Sequence, residues 1–183
     1  MPKLMAWLQR EEPFSNFFRK LPKVVFLIFV SSVAGAFVAS FFFPPEMTTS
    51  EAQAINETLQ EFGLKTFLII LAIVPIAEEF LFRFGLIGLP ILLYRLATKR
   101  QLNPWCTLVL VIASSAYFGY IHGNPANIFI QGIGGAGFAI IFIKWSVYGR
   151  RIFVGLFAST ITHEAFNAML GTLILAASLL SRA

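Results

Sequence analysis

Apolar stretches of membrane-spanning length alternate with short charged segments along this chain, at residues 24–43, 66–97, 105–121, 126–147 and 152–180. About 20 apolar residues in a helix cover the ~30 Å of hydrocarbon in a bilayer. Within lipid a helix satisfies its own backbone, which an isolated strand cannot do. The pattern therefore predicts an all-α fold, a polytopic transmembrane helical bundle of about five to six spans. The second stretch is the ambiguous one, since as straight helix it would reach ~48 Å. Pro75, Gly85, Gly88 and Pro90 predict that it is tilted or broken, with a short second piece after Pro90.

The segments between these runs complete the outline. Residues 1–23 mix Trp7, Leu8, Phe14, Phe17 and Phe18 with Arg10, Arg19, Lys20 and Lys23. That mixture fits an amphipathic helix on the membrane surface and equally a basic flank with belt aromatics. Residues 46–63 are predicted as an acidic loop, 98–104 as a basic loop, 123–125 as a break and 148–151 as a turn. Five spans put the amino terminus, Lys99-Arg100 and Arg150-Arg151 on one side, and Glu46, Glu51, Glu57 and Glu61 on the other. The positive-inside rule makes the basic side, with the amino terminus, cytoplasmic. The first apolar run lacks a small-residue cleavage site and is expected to be a retained span. Residues 24–183 are then expected to be a single transmembrane domain.

Composition agrees. The chain has 183 residues, 57% of them hydrophobic and 13% charged, with 21 Phe and a mean hydropathy of +0.77. These values exclude an ordinary soluble domain. The net charge of +5 sits in topological positions rather than in a basic patch, so no nucleic-acid partner is expected. The single cysteine, Cys106, excludes an internal disulfide and a cysteine-based metal cluster.

Against this background three polar clusters stand out, because an ionisable group in hydrocarbon costs roughly 2.5–3.5 kcal/mol unless it lines a cavity or does chemistry. The first is Glu78-Glu79 with Arg83. Glu79 and Arg83 are four apart and can pair on one helical face, a mainly architectural arrangement, while Glu78 is rotated by about 100° and left as a candidate general base. The second ends at His122, four residues after Phe118. A lone terminal histidine serves either as a cap or as a catalyst. The third is His163-Glu164-Ala165-Phe166-Asn167, where His163 and Asn167 share a face as a catalytic or a helix-packing polar patch. It approaches the zinc helix H-E-x-x-H, but Asn167 occupies the second ligand position and an amide is a poor zinc ligand.

Taken in order, EEFLFR, FGYIH and HEAFN resemble the E-E-x-x-x-R, F-x-x-x-H and H-x-x-x-N signature of the CAAX-prenyl-protease and bacteriocin-processing membrane family (CPBP, also called Abi), over about residues 73–169. The resemblance implies an intramembrane endopeptidase acting on a membrane-associated peptide or protein. Carried over by motif position, Glu78 and His122 would activate water, His163 and Asn167 would stabilise the oxyanion, and Glu79 and Arg83 would support the site. No serine, threonine or cysteine in the motifs offers a nucleophile. Glu78, His122 and His163 could also serve as three zinc ligands with an open position, but a metal-free, cofactor-free glutamate mechanism is the expectation. Phe84-Gly85 departs from the family pattern, which often has glycine directly after the arginine. The alternative function is a non-proteolytic scaffold, assembly or immunity factor that keeps the fold and binds other membrane subunits. A bacterial inner membrane or a thylakoid membrane is the expected location.

Overall fold

The computed structural model describes residues 6–8, 10, 12–48, 50–146 and 151–180, and every regular element among them is helical. The elements are α1 (Ser15–Ala39), the short α2 (Pro45–Thr48), α3 (Ser50–Glu78), a π-helical segment (Glu79–Gly88), α4 (Leu89–Thr98), α5 (Pro104–Ile121), α6 (Asn127–Ser146) and α7 (Ile152–Leu180). Among the described residues α1, α5 and α6 are long and apolar enough to cross a membrane. The α3–π–α4 stretch and α7, the other expected spans, are helical along their length but outside that set. The predicted turn at 148–151 falls, apart from Arg151, outside the described residues.

Two boundaries differ from the hydropathy pattern. Helix α1 starts at Ser15 instead of residue 24, because Arg19, Lys20 and Lys23 favour helix as well as most apolar residues do. The expected acidic loop at 46–63 is instead α2 and the first half of α3. Its Glu, Gln, Ala and Leu residues are strong helix formers, and hydropathy reports burial, not backbone conformation. A single kink marks the change from polar to apolar sequence at Gly63, whose φ of 75° is open to glycine at little cost. The 66–97 stretch is interrupted as expected, by ten residues of π-helix rather than by a fold-back. Pro90 stands where the π segment passes into α4, and its missing N–H removes one bond from the continuous helical ladder there.

Helix α6 is the hub, packed against α1, α5 and α7. Half of its apolar window is buried, against 22% for α1. Phe138, Ala139, Phe142 and Ile143 of α6 fill the centre, meeting Ile87 and Ile91 on one side and Val25, Ile28 and Phe166 on another. The outer faces stay apolar: Phe26, Phe37, Val109 and Ile112 are exposed. An exposed apolar surface of this extent is what a bilayer covers. The α5–α6 crossing is close, since a Cβ on Gly119 would lie 2.4 Å from the Asn127 carbonyl oxygen.

The amino-terminal segment is tied to this bundle. Leu8 is buried with Ile87, Ile91 and Phe142. Lys144 of α6, itself 4% exposed, donates to the carbonyl of Trp7 at 2.6 Å and to that of Arg10. Its ammonium lies 5.1 Å from the Trp7 ring centroid and 4.0 Å from Glu12. A buried cation is thereby satisfied by backbone carbonyls and a ring face.

Candidate active site

The two glutamates sit where α3 gives way to the π segment: Glu78 is the last residue of α3 and Glu79 the first of the wider helix. The π segment packs against α3, α4, α5, α6 and α7, so its side chains reach the centre of the bundle. Helix α5 ends at His122, which adopts φ −78°, ψ 24° as its C-cap. His163 comes from the middle of α7. Single-turn π insertions recur at functional sites because they re-aim side chains without ending the helix, and here Glu78 and Glu79 face in different directions.

Glu79 and Arg83 form the dry end of the cluster, both with fully buried side chains and with Arg83 Nε 3.4 Å from Glu79 Oε2. Arg83 stands 5.1 Å from the Phe118 ring centroid and 6.0 Å from that of Phe138. Its nitrogens make no hydrogen bonds among the described residues. Charge pairing and two aromatic faces therefore balance the desolvation of the guanidinium. Space for it comes from Gly135, where a Cβ would lie 3.4 Å from Arg83 Nη2 and 2.9 Å from Phe118 Cδ1. On the other side His163 Nδ1 meets Glu79 Oε1 at 3.0 Å, and the imidazole stacks on Phe138 at 4.3 Å with 22° between planes.

Glu78 is different. Its side chain is 20% exposed and faces both histidines: Oε1 lies 3.5 Å from His122 Nε2 and Oε2 lies 3.7 Å from His163 Nε2. The hydrogen bonds on the far nitrogens fix what these near nitrogens can do. His122 Nδ1 lies 2.7 Å from the Phe118 carbonyl oxygen. An oxygen there can only accept, so Nδ1 carries the proton and a neutral His122 presents a bare Nε2 to Glu78. Asn127 Nδ2 in turn donates to the His122 carbonyl at 2.6 Å, holding the helix end against α6. His163 Nδ1 donates to Glu79, so its Nε2 donates only when the ring carries a second proton. The carboxylates of Glu78 and Glu79 would flank that cation.

The structure thus gathers Glu78, Glu79, Arg83, His122 and His163 from α3, the π segment, α5 and α7. The end of α5 and the Gly123–Asn124 turn place His122 beside Glu78. In that turn Ala126 N donates to Asn124 Oδ1 at 2.9 Å, and Asn124 Nδ2 donates to the Met47 carbonyl at 3.1 Å. Asn167 stands one turn beyond His163, half-buried, and among the described residues no hydrogen bond joins it to the cluster. Glu164 is also half-buried. Phe138 and Asn127 were not singled out in the sequence. Phe138 carried no signal inside an apolar run, whereas Asn127, an amide opening a hydrophobic span, did. Ser159 was missed as well: it is fully buried on α7, and its hydroxyl donates to the Leu156 carbonyl at 3.1 Å.

The zinc alternative concerns the same atoms. Glu78 Oε1 lies nearest His122 Nε2 and Oε2 nearest His163 Nε2. Among the described residues no group of three or more His, Cys, Asp or Glu side chains is disposed to hold a metal ion.

Fold and cluster together define a helical membrane protein whose buried ionisable groups meet between helices. The family model described as Type II CAAX prenyl endopeptidase Rce1-like matches residues 60–169. That is more than half of the chain, and the chain belongs to this family of CAAX-type proteases. All six motif residues lie within the matched range. No curated protein and no solved structure matches.

Proposed function

We propose that the protein is an intramembrane endopeptidase that uses Glu78 and His122 to activate water against a peptide bond of a membrane-associated peptide or protein. One observation carries the reading: a partly exposed carboxylate faces the Nε2 atoms of two histidines from different helices, at 3.5 and 3.7 Å. Separations of that size are longer than direct hydrogen bonds, so none of these atoms is committed to another and all can turn to a shared water. A water there donates one hydrogen to Glu78 and the other to the bare Nε2 of His122. As the water oxygen bonds to the scissile carbonyl carbon, Glu78 takes its proton and the carbonyl π pair moves onto oxygen. The oxyanion is met by doubly protonated His163 and by the Asn167 amide. Collapse breaks the C–N bond, and the proton held by Glu78 passes to the leaving amine. Glu79 and Arg83 act through His163, fixing its ring and offsetting its charge.

The substrate class follows from the family name and the setting. A prenylated tail resting in the bilayer can present its peptide bond to a pocket between helices, and a prenylated CAAX peptide is the substrate to try first. The basic segments, including the amino terminus, are assigned to the cytoplasmic side. The deciding test reconstitutes the chain in vesicles with such a peptide and compares it with Glu78→Gln. Cleavage by the native chain and far slower cleavage by the variant supports the reading. A native chain that cleaves no membrane-anchored peptide, but holds a stoichiometric membrane partner regardless of the substitution, would support the scaffold instead. The mechanism also predicts that chelator treatment leaves cleavage unchanged; activity lost to chelation and restored by zinc would overturn the metal-free assignment.

A further inference from the structure

On the order of 20–25 Å along the helix from Glu78, by residue count, lies a second built feature: a cavity of about 460 Å³ between the end of α4, the end of α6 and the start of α7. Arg95, Lys99 and Arg100 supply its charge and Leu92 and Ile152 part of its apolar wall. None of the three cations has an acidic partner among the described residues. Three like charges gathered without a counter-charge repel one another and favour an anion between them. An independent observation points the same way. Ser146 lines this cavity, is 1% exposed, and its hydroxyl has no hydrogen-bond partner among the described residues. A buried hydroxyl left without a partner is costly, and Ser146 stands at the wall of this basic cavity. Lys99 also closes α4 in the left-handed region, at φ 56°, a position that usually falls to glycine or asparagine.

We propose that this cavity binds the phosphate group of an anionic phospholipid. Phosphate is the shared chemistry: a multivalent oxyanion that takes two guanidiniums, an ammonium and a hydroxyl at once. The lipid is favoured over free phosphate for two reasons. The wall between the cations is leucine and isoleucine, which suits a glycerol backbone and the start of an acyl chain. The cations also lie at the end of a membrane helix, beside exposed Leu93 and Leu96, where headgroups of the anionic leaflet lie. The bound lipid would join α4 to the α6–α7 end of the bundle without touching the carboxylate–imidazole cluster.

The test uses the full chain in phosphatidylcholine nanodiscs with and without phosphatidylglycerol, and counts retained lipid by native mass spectrometry. The native chain is expected to retain phosphatidylglycerol selectively. Combined Arg95→Gln, Lys99→Gln and Arg100→Gln substitution should weaken retention roughly a hundredfold, since each juxtamembrane cation adds appreciably to attraction for anionic lipid. Ser146→Ala, which removes one buried hydroxyl and keeps the charge, should weaken it roughly tenfold; it keeps the test decisive should the triple variant fail to fold. Retention unchanged in Ser146→Ala and in a folded triple variant would overturn the site. Displacement of the lipid by inorganic phosphate at equal concentration would overturn the lipid assignment in favour of a free anion.

Discussion

Glu78 and Glu79 are neighbours in sequence and identical in chemistry, yet the bundle gives them opposite surroundings. Glu79 is fully buried against Arg83 and His163 Nδ1. Glu78 is one-fifth exposed and addresses two imidazoles at distances that leave room for a reactant. The difference comes from one step of helical rotation at the α3–π junction. It separates a carboxylate that keeps a buried cation in place from one that can exchange a proton with water. Adjacent acidic residues in a membrane helix are therefore not redundant: one holds the site together and the other is available to work in it.

That contrast is broken most strongly at the wet end. Glu78→Gln should lower turnover by roughly 10²–10⁴-fold, the usual worth of a general base, while thermal unfolding of the detergent-solubilised protein stays close to native. Arg83→Met should do the reverse. Removing one partner of a buried pair leaves the other charge uncompensated and costs about 3–5 kcal/mol, visible as a lower unfolding midpoint. A variant pair in which Glu78→Gln unfolds early and Arg83→Met is stable would invert the assignment. Asn167→Ala should then lower kcat by roughly 10²-fold through loss of an oxyanion donor, with little change in stability, because Asn167 is only half-buried and no hydrogen bond ties it to the cluster among the described residues. Unchanged kcat would remove it from the mechanism.

The smallest effect is expected at the amino-terminal segment. Glu12 is held below its ordinary 4.5, chiefly by the hydrogen bond from Lys20, with the Lys20, Lys144 and Arg10 charges adding to it against the opposing effect of burial. A carboxylate with a lowered folded value stabilises the fold above pH 4.5 and loses that contribution as the pH falls through the lowered value. Glu12→Gln should remove only about 0.2–1 kcal/mol, since Lys20 is well exposed, and should flatten the acid limb of a stability–pH profile. An acid limb equally steep in the variant would place the titration elsewhere.

How much of this was legible in the sequence follows from which physical signal each feature carries. The all-helical bundle was, because hydrophobic runs of fixed length report the bilayer. So was the Glu79–Arg83 pair, which needs only the spacing of a helix. The meeting of His122 with Glu78 was legible only through the family resemblance, since physically it depends on where α5 stops and how the Gly123–Asn124 turn is tied to Met47. Residues 46–63 were misread as a loop because polarity was taken for irregularity, although Glu, Gln and Ala favour helix. Phe138 was invisible for the opposite reason: one more phenylalanine in an apolar run, it is distinguished only by the imidazole and guanidinium it meets in space.

The most direct measurement is the single-turnover rate of peptide cleavage by the native chain and by Glu78→Gln and Glu79→Gln, reconstituted in the same vesicles with a prenylated peptide. The division of labour between the two glutamates predicts a rate lowered roughly 10²–10⁴-fold by Glu78→Gln and a smaller loss in Glu79→Gln, whose change leaves the water-facing carboxylate intact. Cleavage at the native rate by Glu78→Gln would contradict it.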